Sequence, residues 1–248
     1  MPRYKLTIEY DGTDFSGWQI QPNARTVEEE LEQAFSQILQ QPIDLIGQGR
    51  TDAGVHARAQ VAHFDVPEEL KNPQKLIFGV NGLIGTEIQV HSIEQVPDDF
   101  HCRFAAVYRE YSYTMYKHRS PLNHRYVWEL PNACDVSVFR DCAQLLSGEF
   151  DFAGFSKYNV ENYTTLCTIL KSELEEYDDK LVYRVRANRF LRNMVRRLVG
   201  TMYRTAEGKL TKEEFKLLLK NTDTKISTYT APAKGLVLEE IFFEKNQN

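Results

Sequence analysis

The chain is poor in cysteine, has no long apolar run and shows no cluster of metal-ligating residues. Its four cysteines, Cys102, Cys134, Cys142 and Cys167, form no C-x-x-C pair, and the six histidines do not gather around them. That spacing argues against a disulfide scaffold and gives a zinc site little support, so small buried thiols in a reducing compartment are expected. No stretch approaches the roughly 18 apolar residues of a membrane span. The opening Met1-Pro2-Arg3-Tyr4-Lys5-Leu6 lacks the apolar core of a signal peptide, and a cytoplasmic location is expected. With 13 glycines and 9 prolines in 248 residues, 42% hydrophobic and 26% charged, collagen-like and disordered chains are excluded. A chain of this length buries about 70–75% of its unfolded surface, enough for one large domain or two small ones.

Basic residues are also in deficit, 30 against 35 acidic, for a net charge of −5. On its own this total argues against a nucleic-acid partner. The distribution reverses the argument. Residues 1–100 carry 7 basic and 16 acidic side chains, a net of −9, while residues 101–248 carry 23 and 19, a net of +4. Arg184, Arg186, Arg189, Arg192, Arg196, Arg197 and Arg204 share a window with no acidic residue. Solvated faces usually mix signs, so this window favours nucleic acid or phosphate.

Tyr4, Leu6, Ile8 and Tyr10 alternate with Lys5, Thr7 and Glu9, the period of a half-buried strand, and Asp11-Gly12 ends it. Thr26-Val27-Glu28-Glu29 reads as a capping box. Val27, Leu31, Ala34, Phe35 and Ile38 then follow at helical spacing over residues 27–40. Residues 43–48 are predicted as a strand, 49–59 as a loop, and a strand follows through Val61, Ala62, His63 and Phe64. Asn72-Pro73 opens a short helix, and residues 88–96 close the series as a strand. The order is β-α-β-β-α-β.

The second half repeats that order without repeating the sequence. A strand over 107–116, a helix over 136–146 and a hairpin of 166–177 and 181–186 turning at Asp178-Asp179 come first. A basic helix over 190–204, a second over 212–220 and a strand over 236–243 complete it. Two such series predict an α+β fold of two ferredoxin-like halves, residues 1–103 and 104–248. They are expected to join in one extended, mainly antiparallel sheet with a central active-site cleft.

The most informative segment is Gly49-Arg50-Thr51-Asp52-Ala53-Gly54-Val55-His56-Ala57. Glycines on both sides of Asp52 let the backbone bend and hold the carboxylate away from the sheet edge. A plain turn aspartate fits the same pattern. The segment is no phosphate loop, since it lacks that spacing and the Lys.

That segment closely resembles the catalytic motif of the tRNA pseudouridine synthase A family. Four further motifs resemble the family in the same order. They are Tyr10-Asp11-Gly12 with Gly17-Trp18-Gln19, Arg109-x-Tyr111-x-Tyr113, Met194-Val195-Arg196 with Val199-Gly200, and Ala231-Pro232 with Gly235-Leu236. The resemblance runs from residue 4 to about 240. It implies isomerisation of uridine to pseudouridine at positions 38, 39 and 40 of the tRNA anticodon stem-loop, after the base has been flipped out. It also implies a homodimer, with one tRNA spanning both subunits, and needs no cofactor and no metal.

By the same resemblance Asp52 is the catalytic carboxylate, attacking C1′ or abstracting the 2′ proton. Tyr111 lies against the target uracil and is placed to help remove the C5 proton. Arg196 pairs with the carboxylate, and Arg50 fills the space the base leaves or holds a flanking phosphate. Each has a structural alternative: core packing for Tyr111, a general RNA-facing arginine for Arg196, a turn arginine for Arg50. Arg197 is the neighbouring candidate for the role of Arg196. Tyr113, His56, His63 and Trp18 read as structural. Two departures are seen: Glu110 stands where the family often has a basic residue, and Ala59 where it often has Gly.

Overall fold

A computed structural model describes residues 1–157, 163–220, 226 and 228–243. The fold is mixed α+β with mainly antiparallel pairing, and it divides into two compact units. The first is Met1–Val107 with Val237–Asn248, and the second is Tyr108–Leu236.

In the first unit, β1 (Arg3–Tyr10), α1 (Val27–Leu39), β2 (Ile46–Gly47), β3 (His56–Asp65), α2 (Pro73–Leu83) and β4 (Ile88–Val96) follow in the expected order. A short helix, α3 (Cys102–Ala105), comes next. β1 lies between β4 and β3, antiparallel to both. Its even-numbered residues are buried and its odd-numbered ones half-buried, as the alternation predicts. Val27, Leu31 and Phe35 of α1 and Leu76, Ile77 and Val80 of α2 are buried as well. The rings of Tyr4 and Phe35 both approach Phe64, at 5.9 and 5.2 Å between centroids. Each such side chain contributes about 1.5–3 kcal/mol by leaving water.

The capping box does not form. Thr26 is the N-cap of α1, but its hydroxyl is buried without a hydrogen-bond partner. Main-chain carbonyls take its place: Val27 N donates to Gly17 O at 3.3 Å and Glu28 N to Trp18 O at 3.0 Å. The Glu28 carboxylate, one residue before the glutamate of the expected box, accepts from Trp18 Nε1 and the Ile20 amide, both at 2.9 Å. The strand expected over 43–48 shrinks to Ile46–Gly47, and β3 begins at His56, inside the expected loop. Those first residues of β3 pair in parallel with β10 (Leu236–Phe243), His56 opposite Val237 and Ala57 opposite Leu238. Local periodicity carries no trace of a partner strand so far along the chain.

In the second unit, β5 (Ala106–Tyr116), β9 (Lys180–Ala187), β8 (Leu166–Glu176) and β7 (Gly148–Asp151) lie side by side, all antiparallel. A two-residue strand, β6 (Trp128–Glu129), pairs with the end of β5. Among the described residues the α-helices α4 (Val136–Gln144), α5 (Met194–Ala206) and α6 (Lys212–Leu219) accompany them. β6 and β7 are too short to show a period. The basic helix expected over 190–204 begins later, because Asn193 adopts a left-handed conformation (φ 59°) just before Met194.

The acid-free arginine window has counter-charges once folded. Arg184 Nε lies 2.9 Å from Glu175 of β8, and Arg204 Nη1 lies 3.8 Å from Glu207. Glu110 of β5 faces Arg186 across the sheet, its Oε2 2.7 Å from Nε and 2.6 Å from Nη2. The departure at Glu110 is thus the partner of an arginine. Sheet neighbours supply charges that a linear window omits.

Candidate active site

Asp52 stands on the connection between β2 and β3. Gln48 N donates to Val61 O at 2.8 Å, and the buried Gln60 side chain donates to Gly49 O at 2.9 Å. Thr51 accepts from Trp18 N at 3.2 Å through its carbonyl, and its hydroxyl bonds Tyr10 Oη at 2.8 Å. Beyond the carboxylate, Val55 N donates to Asp52 O at 3.1 Å and Gly54 N to Phe15 O at 3.3 Å. The loop is therefore anchored on both sides of Asp52, which is half-buried, while Arg50 is exposed.

The segment Tyr10-Asp11-Gly12…Gly17-Trp18 explains its own presence here. Gly17 has φ +100°, and a Cβ on it would sit 2.5 Å from Thr51 O. Only glycine permits both that conformation and that approach. The Gly12 amide donates to Nδ1 of the buried His56 at 3.1 Å. Trp18 is 1% exposed and donates to Glu28, which fits the core reading. Burial pushes the Glu28 carboxyl upward, and the Ile20 and Trp18 donors oppose that shift. His63 is buried too, with Nδ1 3.2 Å from Cys102 Sγ.

Tyr111 and Arg196 belong to the second unit. Tyr111, Tyr113 and Met115 share a face of β5 by alternation, but burial divides them. Tyr113 and Met115 are wholly enclosed, whereas Tyr111 is half-buried. Phe190 packs edge-on against the Tyr111 ring, 5.1 Å between centroids and 88° between planes. Phe190 falls inside the basic helix expected over 190–204, so its spacing gives no sign of this contact with Tyr111. Arg196, on the first turn of α5, is half-buried, and its Nε donates to Ala231 O at 2.8 Å. Arg197 Nη1 turns to another carbonyl, that of Ser156, at 2.8 Å.

Among the described residues no group of three or more His, Cys, Asp or Glu side chains is placed to hold a metal ion. No helix among them is long and apolar enough to cross a membrane.

The sequence profile of the tRNA pseudouridine synthase family matches residues 6–105 and 142–244. The chain belongs to this family. Asp52, Arg50 and Arg196 lie within the matched spans, and Tyr111 lies between them. A tRNA pseudouridine synthase A from Bacteroides thetaiotaomicron is 38% identical over 256 residues, spanning 100% of this chain and 95% of the relative. That of Syntrophotalea carbinolica is 39% identical, covering 96% and 95%. That of Streptococcus suis is 38% identical, covering 98% and 100%. As a pseudouridine synthase the protein is an isomerase that converts uridine to pseudouridine in tRNA.

Proposed function

We propose that this synthase acts on uridines 38, 39 and 40 of the anticodon stem-loop, with Asp52 as the catalytic carboxylate. In the isomerisation the N1–C1′ bond breaks, the uracil turns and C5 bonds to C1′. One proton leaves C5 and one is taken up at N1, so no electrons are exchanged and no group enters. Positive character develops at C1′, and a carboxylate beside it stabilises or traps that charge. A stacked uridine is out of reach, so the base first leaves the stack.

In this reading Arg50 takes the vacated space or a flanking phosphate. Tyr111 lies against the uracil, where stacking is worth about 1–3 kcal/mol per base. Arg196 is the partner proposed for the carboxylate, since a guanidinium stays charged and binds carboxylate through paired N–H groups. The family resemblance also supports a cytoplasmic homodimer with one tRNA spanning both subunits.

The observation that supports this reading best is the anchoring of the Asp52 loop at Gly49, Thr51, Gly54 and Val55. A carboxylate on so constrained a segment is preorganised for one geometry, whether it attacks C1′ or abstracts the 2′ proton. Pseudouridine mapping of tRNA incubated with the purified protein tests it. New pseudouridine at positions 38–40 is expected; its absence there overturns the assignment.

A further inference from the structure

Tyr113 is fully enclosed, so its hydroxyl must find a partner inside the protein. It donates to Pro232 O at 2.7 Å. The preceding residue, Ala231, is also fully buried and is joined to α5 twice. Its amide donates to Arg196 O at 3.0 Å, and its carbonyl accepts from Arg196 Nε at 2.8 Å. Proline fixes its own φ, here −53°, and restricts the residue before it, so Ala231-Pro232 is a stiff dipeptide. Gly200 lets this segment lie against the helix: a Cβ there would meet Tyr229 O at 2.1 Å. The Arg196 charge is felt at the Tyr113 hydroxyl, although burial dominates there and raises its pKa well above the usual value.

We propose that Tyr113 is a positioning residue, holding the Ala231-Pro232 dipeptide that orients the Arg196 guanidinium. A guanidinium is rigid and planar, so fixing Nε fixes the plane in which Nη1 and Nη2 must meet an anion. Three sequence motifs thereby act as one unit: the tyrosine strand supports the C-terminal dipeptide, and the dipeptide aims the arginine of the basic helix. The inference rests on the role given to Arg196 in the reading above.

Tyr113→Phe tests it, because the ring and its packing on Trp128 remain while the hydroxyl is lost. With whole tRNA, kcat is expected to fall about tenfold, near the upper worth of one hydrogen bond, while KM stays within about twofold. Pro232→Ala, which loosens the dipeptide from its other side, is expected to give the same split. Tyr183→Phe is the control, since that tyrosine is equally buried and bonds Ser172. It should lower thermal stability comparably and leave kcat unchanged. In an Arg196→Lys background, adding Tyr113→Phe should cost less than about twofold more.

Wild-type kcat in Tyr113→Phe, or independent multiplication of the two effects, overturns the proposal. An Arg196→Lys protein as active as the parent overturns the role of Arg196 instead, so the two failures are distinguishable.

Discussion

Arg196 and Ala231 hold each other by two hydrogen bonds, guanidinium Nε to carbonyl at 2.8 Å and amide to carbonyl at 3.0 Å. One residue lies on the first turn of the basic helix and the other belongs to a segment far along the chain. Their pairing needs close approach of backbone to helix, and Gly200 permits it. Gly200→Ala should therefore lower stability by about 1–3 kcal/mol, the usual cost of overpacking. Activity should fall further than stability explains. Denaturant unfolding and initial rates at a temperature where the variant is folded check both parts.

The arginine window should contribute unevenly to tRNA binding. Arg184 and Arg186 face glutamates, whereas Arg192 is exposed. Arg192→Ala is expected to weaken tRNA binding and reduce the salt slope by about 1. Arg186→Ala should change the slope less, because Glu110 already offsets its charge. Affinity measured across a salt series distinguishes the two.

Two groups, the buried His63 and the half-buried Glu32, give stability opposite pH dependences. Burial, with the charges of Arg3 and His101 nearby, lowers His63 from 6.5 to about 4. The folded protein then binds fewer protons there than the unfolded chain, so this contribution is lost as pH falls from about 6.5 towards 4. Burial raises Glu32 from 4.5 to about 7, against the Leu45 amide that donates to it at 2.8 Å. Its contribution is present at acid pH and is lost as pH rises through about 7. His63→Gln should flatten the acid limb of a stability–pH curve, and Glu32→Gln the neutral limb. Chemical denaturation at a series of pH values reads both.

Tyr111 should be separable into ring and hydroxyl. Tyr111→Phe keeps the edge-on packing with Phe190 and should retain tRNA affinity. Tyr111→Ala forfeits stacking of about 1–3 kcal/mol and should slow turnover by about 5- to 150-fold. Single-turnover rates decide; an alanine variant with native turnover leaves the ring a packing role only.

Much of the fold was legible because it is written in local periods. The alternation from Tyr4 to Tyr10 predicts β1 face by face, and Asn72-Pro73 marks the start of α2, where Asn72 accepts from Lys75 N. What escaped the sequence depends on partners distant along the chain. His56 extends β3 because Val237 lies beside it, and Thr26 loses its capping role because Gly17 and Trp18 carbonyls fill it. The counter-charges of Arg184 and Arg186 come from neighbouring strands.

The site was legible in the same uneven way. Gly49, Asp52 and Gly54 announce a sharply bent loop, yet nothing local tells that Tyr10, Phe15 and Trp18 fasten it. Tyr111 and Tyr113 look alike in an alternating strand, and only the enclosing structure separates a half-buried ring from a sealed one. Phe190 was missed for a related reason: helical spacing gives no sign that Asn193 breaks the pattern before Met194.

Asp52→Asn tests the central claim most directly. The substitution keeps the shape of the side chain and removes its charge, on a loop also anchored by backbone bonds such as Val55 N to Asp52 O and Gly54 N to Phe15 O. Pseudouridine formation in tRNA should be lost while tRNA affinity stays near normal. Turnover equal to that of the unsubstituted protein would contradict the assignment of Asp52 as the catalytic carboxylate.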